Sequence, residues 1–131
     1  MRIVIDTNVL VSALMNLNSV PGKILMSFFK HKFIILYDNN LLNEYYDVLL
    51  REKFGFNFEI VNDLVKHINK NGKYIYALNS EINFTDKSDK KFYEVYKSGK
   101  ASYLITGNKK HFPKDAGIVT PREFLEKTKI Y

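Results

Sequence analysis

Short apolar runs alternate with helical periodicities along most of this chain. Runs at Arg2–Ile5, Phe33–Leu36 and Tyr103–Ile105 predict buried strands. Tyr74–Leu78 and Ile118-Val119 predict two further strands. Apolar strands without polar alternation are typical of a parallel sheet with helices on both faces.

Between these strands, apolar residues recur at the spacing of helices. We expect a helix from Thr7 to Leu14, and a second with Pro21 at its first position. The apolar stripe of this second helix is Ile24, Leu25 and Phe28. Two more stripes at helical spacing predict a third helix, with Leu41, Leu42, Tyr45, Val48 and Leu49, and a fourth, with Ile60, Val61, Leu64, Val65 and Ile68. A helix from Ser88 or Asp89 ends at Ser98-Gly99, and a capping box at Thr120–Glu123 begins the last one. Strands alternating with helices predict an α/β fold.

Composition narrows the class of protein. At 131 residues, the chain has the length of one domain, which we expect to span 1–131. It has no cysteine, which excludes disulfides and thiolate chemistry. No apolar run approaches membrane-spanning length, so we expect a cytoplasmic protein with no membrane association. No glycine-rich loop follows a predicted strand, which disfavours a nucleotide-binding domain.

The positive charge is concentrated in one stretch. Between Lys87 and Lys114 there are eight lysines and two acids, which accounts for the whole net charge of +6. Such a cluster is either a chance of composition or a surface that faces a polyanion, of which nucleic acid is the commonest. If the partner is RNA, the predicted phosphate contacts are Lys87, Lys90, Lys91, Lys109 and Lys110.

Three acidic residues lie where the predicted elements bring them toward one edge of the sheet. Asp6 directly follows the first strand, and Asp89 lies in the first turn of a helix. On a helical wheel Glu44 falls about 40° from Val48, at the border of the buried stripe. Each has an ordinary alternative explanation: Asp6 as a helix cap, Asp89 as a partner of a helix dipole, Glu44 as a solvated residue. Ligands bind beyond the carboxyl ends of parallel strands, so we expect the three acids to converge there.

Converging carboxylates repel one another, so such a cluster requires a cation. The histidines, His31, His67 and His111, lack the spacing of metal ligands, and we expect them at the surface or in loops. Oxygen ligands therefore favour Mg²⁺ or Mn²⁺ over zinc. A divalent ion beside a basic surface indicates phosphodiester hydrolysis, with an acid orienting the attacking water.

Five segments, in order, carry a family resemblance. Residues 6–14 read DTNVLVSAL, and 41–45, 86–92, 101–108 and 119–125 read LLNEY, DKSDKKF, ASYLITGN and VTPREFL. Together they resemble the successive motifs of the PIN domain family, in particular its toxin-like VapC branch. The resemblance extends over nearly the whole chain, and five ordered segments are far more specific than the first alone.

This resemblance implies a three-layer α/β/α sandwich around a central, mainly parallel sheet. It implies a Mg²⁺- or Mn²⁺-dependent endonuclease of single-stranded RNA that acts as a toxin, is neutralised by a cognate antitoxin protein and frequently forms a homodimer. By position, Asp6, Glu44 and Asp89 match the family's metal-binding and catalytic acids. Thr106 and Asn8 match polar neighbours of that site.

The chain departs from the family pattern at three positions. Ser102 and Asn108 stand where the family usually has aspartate, and Lys90 stands where members often carry another acid. Asn108 can still offer a carbonyl oxygen to a metal, with Ser102 as a neutral neighbour of the site. Two hypotheses remain: a metal-dependent endoribonuclease, or a degenerate module that binds RNA or an antitoxin without cleaving.

Aromatic side chains make up 15% of the chain. Most lie at helical core spacing, and those that are not buried can form a protein interface. The candidates for contact with a second copy or an antitoxin are Tyr45, Tyr46, Phe54, Phe56 and Phe58.

Overall fold

Five parallel strands form the centre of the fold in a computed structural model that describes residues 1–84 and 86–130. Their order across the sheet is β3-β2-β1-β4-β5. The strands are β1 (Arg2–Ile5), β2 (Ile34–Tyr37), β3 (Lys73–Tyr74), β4 (Tyr103–Ile105) and β5 (Ile118–Val119). All pairings are parallel; Ile3 lies opposite Ile35 on one side and Tyr103 on the other. Because β1 is central, the residue that follows it lies at the middle of the carboxyl edge.

In the described part of the chain, six helices flank the sheet and complete the predicted three-layer α/β/α arrangement. They are α1 (Thr7–Met15), α2 (Val20–Phe29), α3 (Asn39–Leu49), α4 (Phe58–Asn71), α5 (Lys87–Ser98) and α6 (Pro121–Thr128). Short 3₁₀ turns lie at Glu52–Phe54 and Lys109–His111. Side-chain caps satisfy the first free amides of α2, α3 and α4, where Ser19, Asp38 and Asn57 accept from the helix backbone. The predicted capping box of α6 is confirmed: Thr120 and Glu123 each bond the other's backbone.

One predicted strand is wrong in extent. Tyr74–Leu78 was expected to be extended sheet, whereas β3 contains only Lys73 and Tyr74. Beyond it, side chains of α5 take the place of a neighbouring strand. The Leu78 amide donates to the Ser98 hydroxyl at 2.9 Å, and the Ser80 amide donates to the Glu94 carboxylate at 2.6 Å. These bonds hold the segment against a helix, so it does not extend the sheet.

Within the same described residues the longest helix, α4, has 14 residues. No single helix there is long and apolar enough to cross a bilayer. Taken together, α1 and α2 have the length and composition of a membrane span, but they are bent by 98° at the break between them.

Candidate active site

A cavity of about 340 Å³ brings together the three acids that the sequence singled out. Its walls come from the junction of β1 with α1, from α3 and the turn after it, from the start of α5 and from the loop after β4. The lining residues are Asp6, Thr7, Asn8, Val11, Glu44, Val48, Arg51, Phe54, Asp86, Ser88, Asp89, Asn108 and His111. Carboxylates from three separate elements therefore face one space.

Asp6 lies at the N-cap position of α1, but its side chain makes no capping hydrogen bond. Instead its Oδ2 accepts a hydrogen bond from the buried Thr106 hydroxyl at 2.8 Å. The Thr106 oxygen in turn accepts from the Asn108 amide at 3.0 Å. The capping explanation thus accounts for the position of the residue but not for its side chain, which turns toward the end of β4.

The Asp6 carboxyl is almost fully enclosed, with 6% of the residue exposed. Burial, as the largest cause, raises its pKa from 3.8 to about 6, while the Thr106 hydrogen bond acts in the opposite direction. The negative charges of Asp89 and Glu44 raise the pKa further. Mutual repulsion between the three acids is therefore present in the fold.

Glu44 is held on both sides, which excludes the solvated alternative. The neighbouring Tyr45 hydroxyl donates to the Ile5 carbonyl at 2.6 Å and fixes α3 against the end of β1. One carboxylate oxygen of Glu44, Oε2, accepts from the Thr7 hydroxyl at 2.5 Å. The other, Oε1, lies 2.6 Å from Nζ of Lys91 on α5.

Asp89 lies in the first turn of α5 and makes a contact that the sequence did not reveal. Its Oδ2 lies 3.1 Å from Nδ1 of His111 in the 3₁₀ turn after β4. Burial raises the pKa of Asp89, and the Asp86 carboxylate adds to the effect, whereas the His111 contact opposes it. Asp86 itself caps α5 through the Ser88 amide. His111 is a loop residue, as expected, but no local pattern indicated that it faces an acid of another motif.

The polar neighbours divide into two groups. Asn8 and Asn108 line the cavity, and Asn8 Oδ1 accepts from the Gly107 amide at 3.4 Å. The prediction that Ser102 neighbours the site is wrong. Ser102 precedes β4, and its amide donates to the Arg2 carbonyl at 2.8 Å, at the amino edge of the sheet. The strand separates it from Thr106 and the acids.

The predicted phosphate-binding lysines differ in their availability. Lys87 and Lys110 are exposed, and Lys90 is half-buried. Lys91 is engaged by Glu44, and Nζ of Lys109 lies 3.0 Å from Oε1 of Glu123. Those two ammonium groups have carboxylate partners in this structure, and contact of the five lysines with RNA stays a prediction.

The aromatic interface candidates also divide. Tyr45 is completely buried and supports the site, so its prediction as an interface residue is wrong. Phe54 and Phe56 stack with ring centres 5.7 Å apart and are half-buried. Phe58, at the start of α4, remains 59% exposed. Burial of Tyr45 follows from its place on the same stripe as Leu41 and Leu49.

The donor chemistry of the cavity fits a hard divalent cation. Three carboxylates and the Asn108 side-chain amide could supply oxygen ligands. Burial is the largest cause of the raised pKa of Asp6, and the charges of Asp89 and Glu44, which a cation would offset, raise it further. Within residues 1–84 and 86–130, no three His, Asp or Glu side chains are arranged so that they could hold a metal ion as they stand. Glu44 and Asp89 are turned toward Lys91 and His111, and both carboxylates must reorient to share an ion.

Comparison with known proteins identifies the family of the chain. Residues 2–110 match the sequence pattern of the family described as the PIN domain, and this span contains Asp6, Glu44 and Asp89. The uncharacterized protein MJ1680 of Methanocaldococcus jannaschii is 31% identical over 140 residues, covering 95% of this chain and 90% of that protein. No solved structure matches the chain. The fold is that of a nuclease class, and the chain belongs to the PIN domain family.

Proposed function

We propose that this protein is a metal-dependent endoribonuclease that hydrolyses phosphodiester bonds in single-stranded RNA. The observation that carries the proposal is the convergence of Asp6, Glu44 and Asp89 on one cavity at the carboxyl edge of the sheet. The charges of the other two acids contribute to the raised pKa of Asp6, which supports their closeness. Acids held together against repulsion are typical of a cation site and are costly without one.

The residues of the cavity would have different roles in hydrolysis. Asp6, Glu44 and Asp89, with Asn108, would hold Mg²⁺ or Mn²⁺, which supplies positive charge to the phosphate and lowers the pKa of a water molecule. An acid of the cluster would orient the attacking water molecule and accept its proton as the water oxygen attacks phosphorus. The bond from phosphorus to the leaving ribose oxygen breaks, and that oxygen takes up a proton. Thr106 keeps Asp6 in one orientation during these steps.

Exposed lysines beside the cavity would bind the RNA backbone. Lys87 lies at the start of α5, and Lys110 lies in the turn that carries His111. Lys90 follows Asp89 directly. Neutralisation of phosphates by such groups releases counterions, which makes binding weaken as salt rises.

Cleavage of a labelled single-stranded RNA tests the proposal. We expect cleavage with Mn²⁺, none with EDTA, and none by Asp6→Asn with Mn²⁺. Asp63→Asn, an equal change of charge at an exposed position of α4, is the matched control and should cleave like the wild type. Cleavage that survives Asp6→Asn would show that the chemistry lies elsewhere.

A second candidate function is a module that binds RNA or an antitoxin without cleaving it. Asn108 supplies no charge where the family usually has an acid, and Lys91 already neutralises Glu44. Both features reduce the attraction for a divalent ion. Retained RNA binding by a wild type that cleaves no RNA under any metal condition would favour this alternative.

We further propose that the protein is the toxin of a toxin–antitoxin pair and acts in the cytoplasm on RNA. Exposed apolar side chains of α1, α2, α4 and the connection after α1 support a protein partner: Met15, Leu17, Met26, Phe58 and Ile60. Such a surface fits either an antitoxin or the second copy of a homodimer. Expression should arrest growth and Asp6→Asn should abolish the arrest; a strictly monomeric mass in sedimentation would contradict the homodimer.

A further inference from the structure

The ion pair between Lys91 and Glu44 differs from the other Lys/Arg–carboxylate pairs in the described part of the chain. Its side chains are 27% and 15% exposed, whereas those of Arg51–Asp47 and Lys109–Glu123 are 38% to 75% exposed. Solvent and salt weaken exposed pairs much more than enclosed ones. Lys91 is therefore a persistent positive charge inside the acid cluster.

Both carboxylate oxygens of Glu44 have a partner, Lys91 on one and Thr7 on the other. Oε1 of Glu44 contacts the Lys91 ammonium at 2.6 Å, and Oε2 accepts the Thr7 hydroxyl at 2.5 Å. An ion that takes Glu44 as a ligand competes with these two donors for the carboxylate oxygens. The contact with the Lys91 ammonium is harder to displace than the one with the Thr7 hydroxyl, because a hydrogen bond between two ionised partners is stronger than one to a neutral hydroxyl.

Asp6 lies in the same cavity as Glu44 but has a neutral partner in place of a charged one. Its hydrogen-bond partner is the neutral Thr106 hydroxyl, and no lysine or arginine pairs with it among the described residues. Of the two lysines that follow Asp89, Lys91 turns onto Glu44, while Lys90 forms no ion pair in the described part of the chain. One ammonium group has thus been placed on one acid of the cluster.

We propose that Lys91 is an internal competitor of the divalent ion for Glu44, and that it lowers the metal affinity of the site. This inference rests on the proposed function, since it concerns the metal that the nuclease would use. Lys91 is a positioning residue: it acts by occupying Glu44, and it needs no contact with the RNA. Metal entry and the release of Lys91 from Glu44 are then one exchange, in which one cation replaces another.

Mn²⁺ binding to metal-free protein without RNA, followed by calorimetry, tests the competition. Lys91→Met removes the ammonium and keeps the apolar stem, and Lys97→Met makes the same change of net charge at an exposed position of the same helix. Removing a unit charge a few ångströms from a divalent ion should tighten Mn²⁺ binding about tenfold or more. Lys97→Met should change the affinity by about twofold at most, because the charge of an exposed lysine away from the cavity is screened.

Two further variants separate charge from folding. Lys91→Arg keeps the positive charge and should bind Mn²⁺ like the wild type. Lys91→Gln keeps a hydrogen-bond donor for Glu44 without the charge, and should bind Mn²⁺ tightly even if the methionine variant does not fold. Unchanged or weaker Mn²⁺ binding by folded Lys91→Met or Lys91→Gln would overturn the proposal, as would an equal gain from Lys97→Met.

The outcomes distinguish this inference from the proposed function. If Lys91→Met binds Mn²⁺ no tighter than the wild type, while RNA cleavage depends on Mn²⁺ and Asp6, only the competition is overturned. If Lys91→Met binds Mn²⁺ more tightly but no variant cleaves RNA, the competition stands and the nuclease function fails. Absence of Mn²⁺ binding by every variant overturns both.

Discussion

The Thr106 hydroxyl donates a hydrogen bond to Oδ2 of Asp6 across the carboxyl ends of β4 and β1. The two strands are direct neighbours, and Ile5 pairs with Ile105 immediately before these two residues. The register of the sheet therefore sets the contact, and the hydroxyl reaches an acid that is otherwise enclosed. A buried carboxylate with one good donor is stabilised in one orientation, which is what a ligand to a metal requires.

Thr106→Val tests the contribution of that hydroxyl. Valine keeps the shape but leaves the Asp6 carboxylate and the Asn108 amide without their partner. A lost hydrogen bond to a buried charged group should cost about 2 kcal/mol of unfolding free energy at pH 7.5. Urea denaturation of Thr106→Val and of Thr106→Ser, which keeps the hydroxyl, measures the difference. Equal stability of the two variants would show that the bond contributes nothing.

The raised pKa of Asp6 predicts that its charge destabilises the metal-free fold near neutral pH. The folded pKa is about 6 and the ordinary value is 3.8, so between these values the folded state binds more protons than the unfolded state. The free energy of unfolding therefore falls as pH rises from about 4 to 6, by about 3 kcal/mol in total from this group. Asp6→Asn should be more stable than the wild type at pH 7.5 and lose that advantage toward pH 4.

Thermal unfolding without divalent ions, at pH 4.0, 5.5 and 7.5, checks this expectation. Asp63→Asn serves as the control because Asp63 is exposed on α4. A wild type that is more stable than Asp6→Asn at pH 7.5 would contradict the assignment of a desolvated, repelled carboxylate to Asp6.

Asn108→Asp should restore a negative charge to the cavity and raise metal affinity. Asn108 lines the cavity beside Thr106, whereas Ser102 lies at the other end of β4. Ser102→Asp therefore adds the same charge at the wrong edge. We expect Asn108→Asp to bind Mn²⁺ about tenfold more tightly and to cleave RNA faster, with little change for Ser102→Asp. An equal effect of the two substitutions would attribute the gain to net charge alone.

Lys110→Ala should weaken RNA binding and reduce its dependence on salt. Lys110 is exposed in the turn at the edge of the cavity, and Lys66 is exposed on α4. Each phosphate contact to a single strand contributes about 0.7 to the slope of log affinity against log salt concentration. Fluorescence anisotropy over a salt series should give a smaller slope for Lys110→Ala and an unchanged one for Lys66→Ala. Parallel lines for the wild type and Lys110→Ala would remove Lys110 from the RNA surface.

Local features of the fold were predictable because their causes are local. The apolar runs mark β1, β2, β4 and β5, and the caps Asp38, Asn57 and Thr120 stand directly before their helices. The end of β3 was not predictable, because side chains of α5 satisfy the backbone there. Nothing within Tyr74–Leu78 reports those distant donors and acceptors.

The candidate site shows the same division. Strand direction alone brings Asp6 and Thr106 to one edge, since each follows a parallel strand. By the same reasoning Ser102 and Asn108 lie at opposite edges of the sheet, because the strand Tyr103–Ile105 lies between them. The prediction that Ser102 neighbours the site came from the family pattern and did not take this into account. The pairs Lys91–Glu44 and His111–Asp89 depend on how α5 packs against α3 and on the path of the loop after β4. These are tertiary relationships that no periodicity encodes.

Glu123 forms a bridge between the last helix and the loop that follows β4. One of its oxygens accepts from the Thr120 amide in the capping box, and both lie within about 3 Å of the Lys109 ammonium. Lys109 begins the turn that ends in His111, one residue after Asn108. A helix outside the family-matched span thus serves as an anchor for part of the cavity wall. Loss of the contacts at the start of α6 would therefore increase the mobility of His111 and Asn108. These two residues are distant from Asp6 in the sequence but line the same cavity.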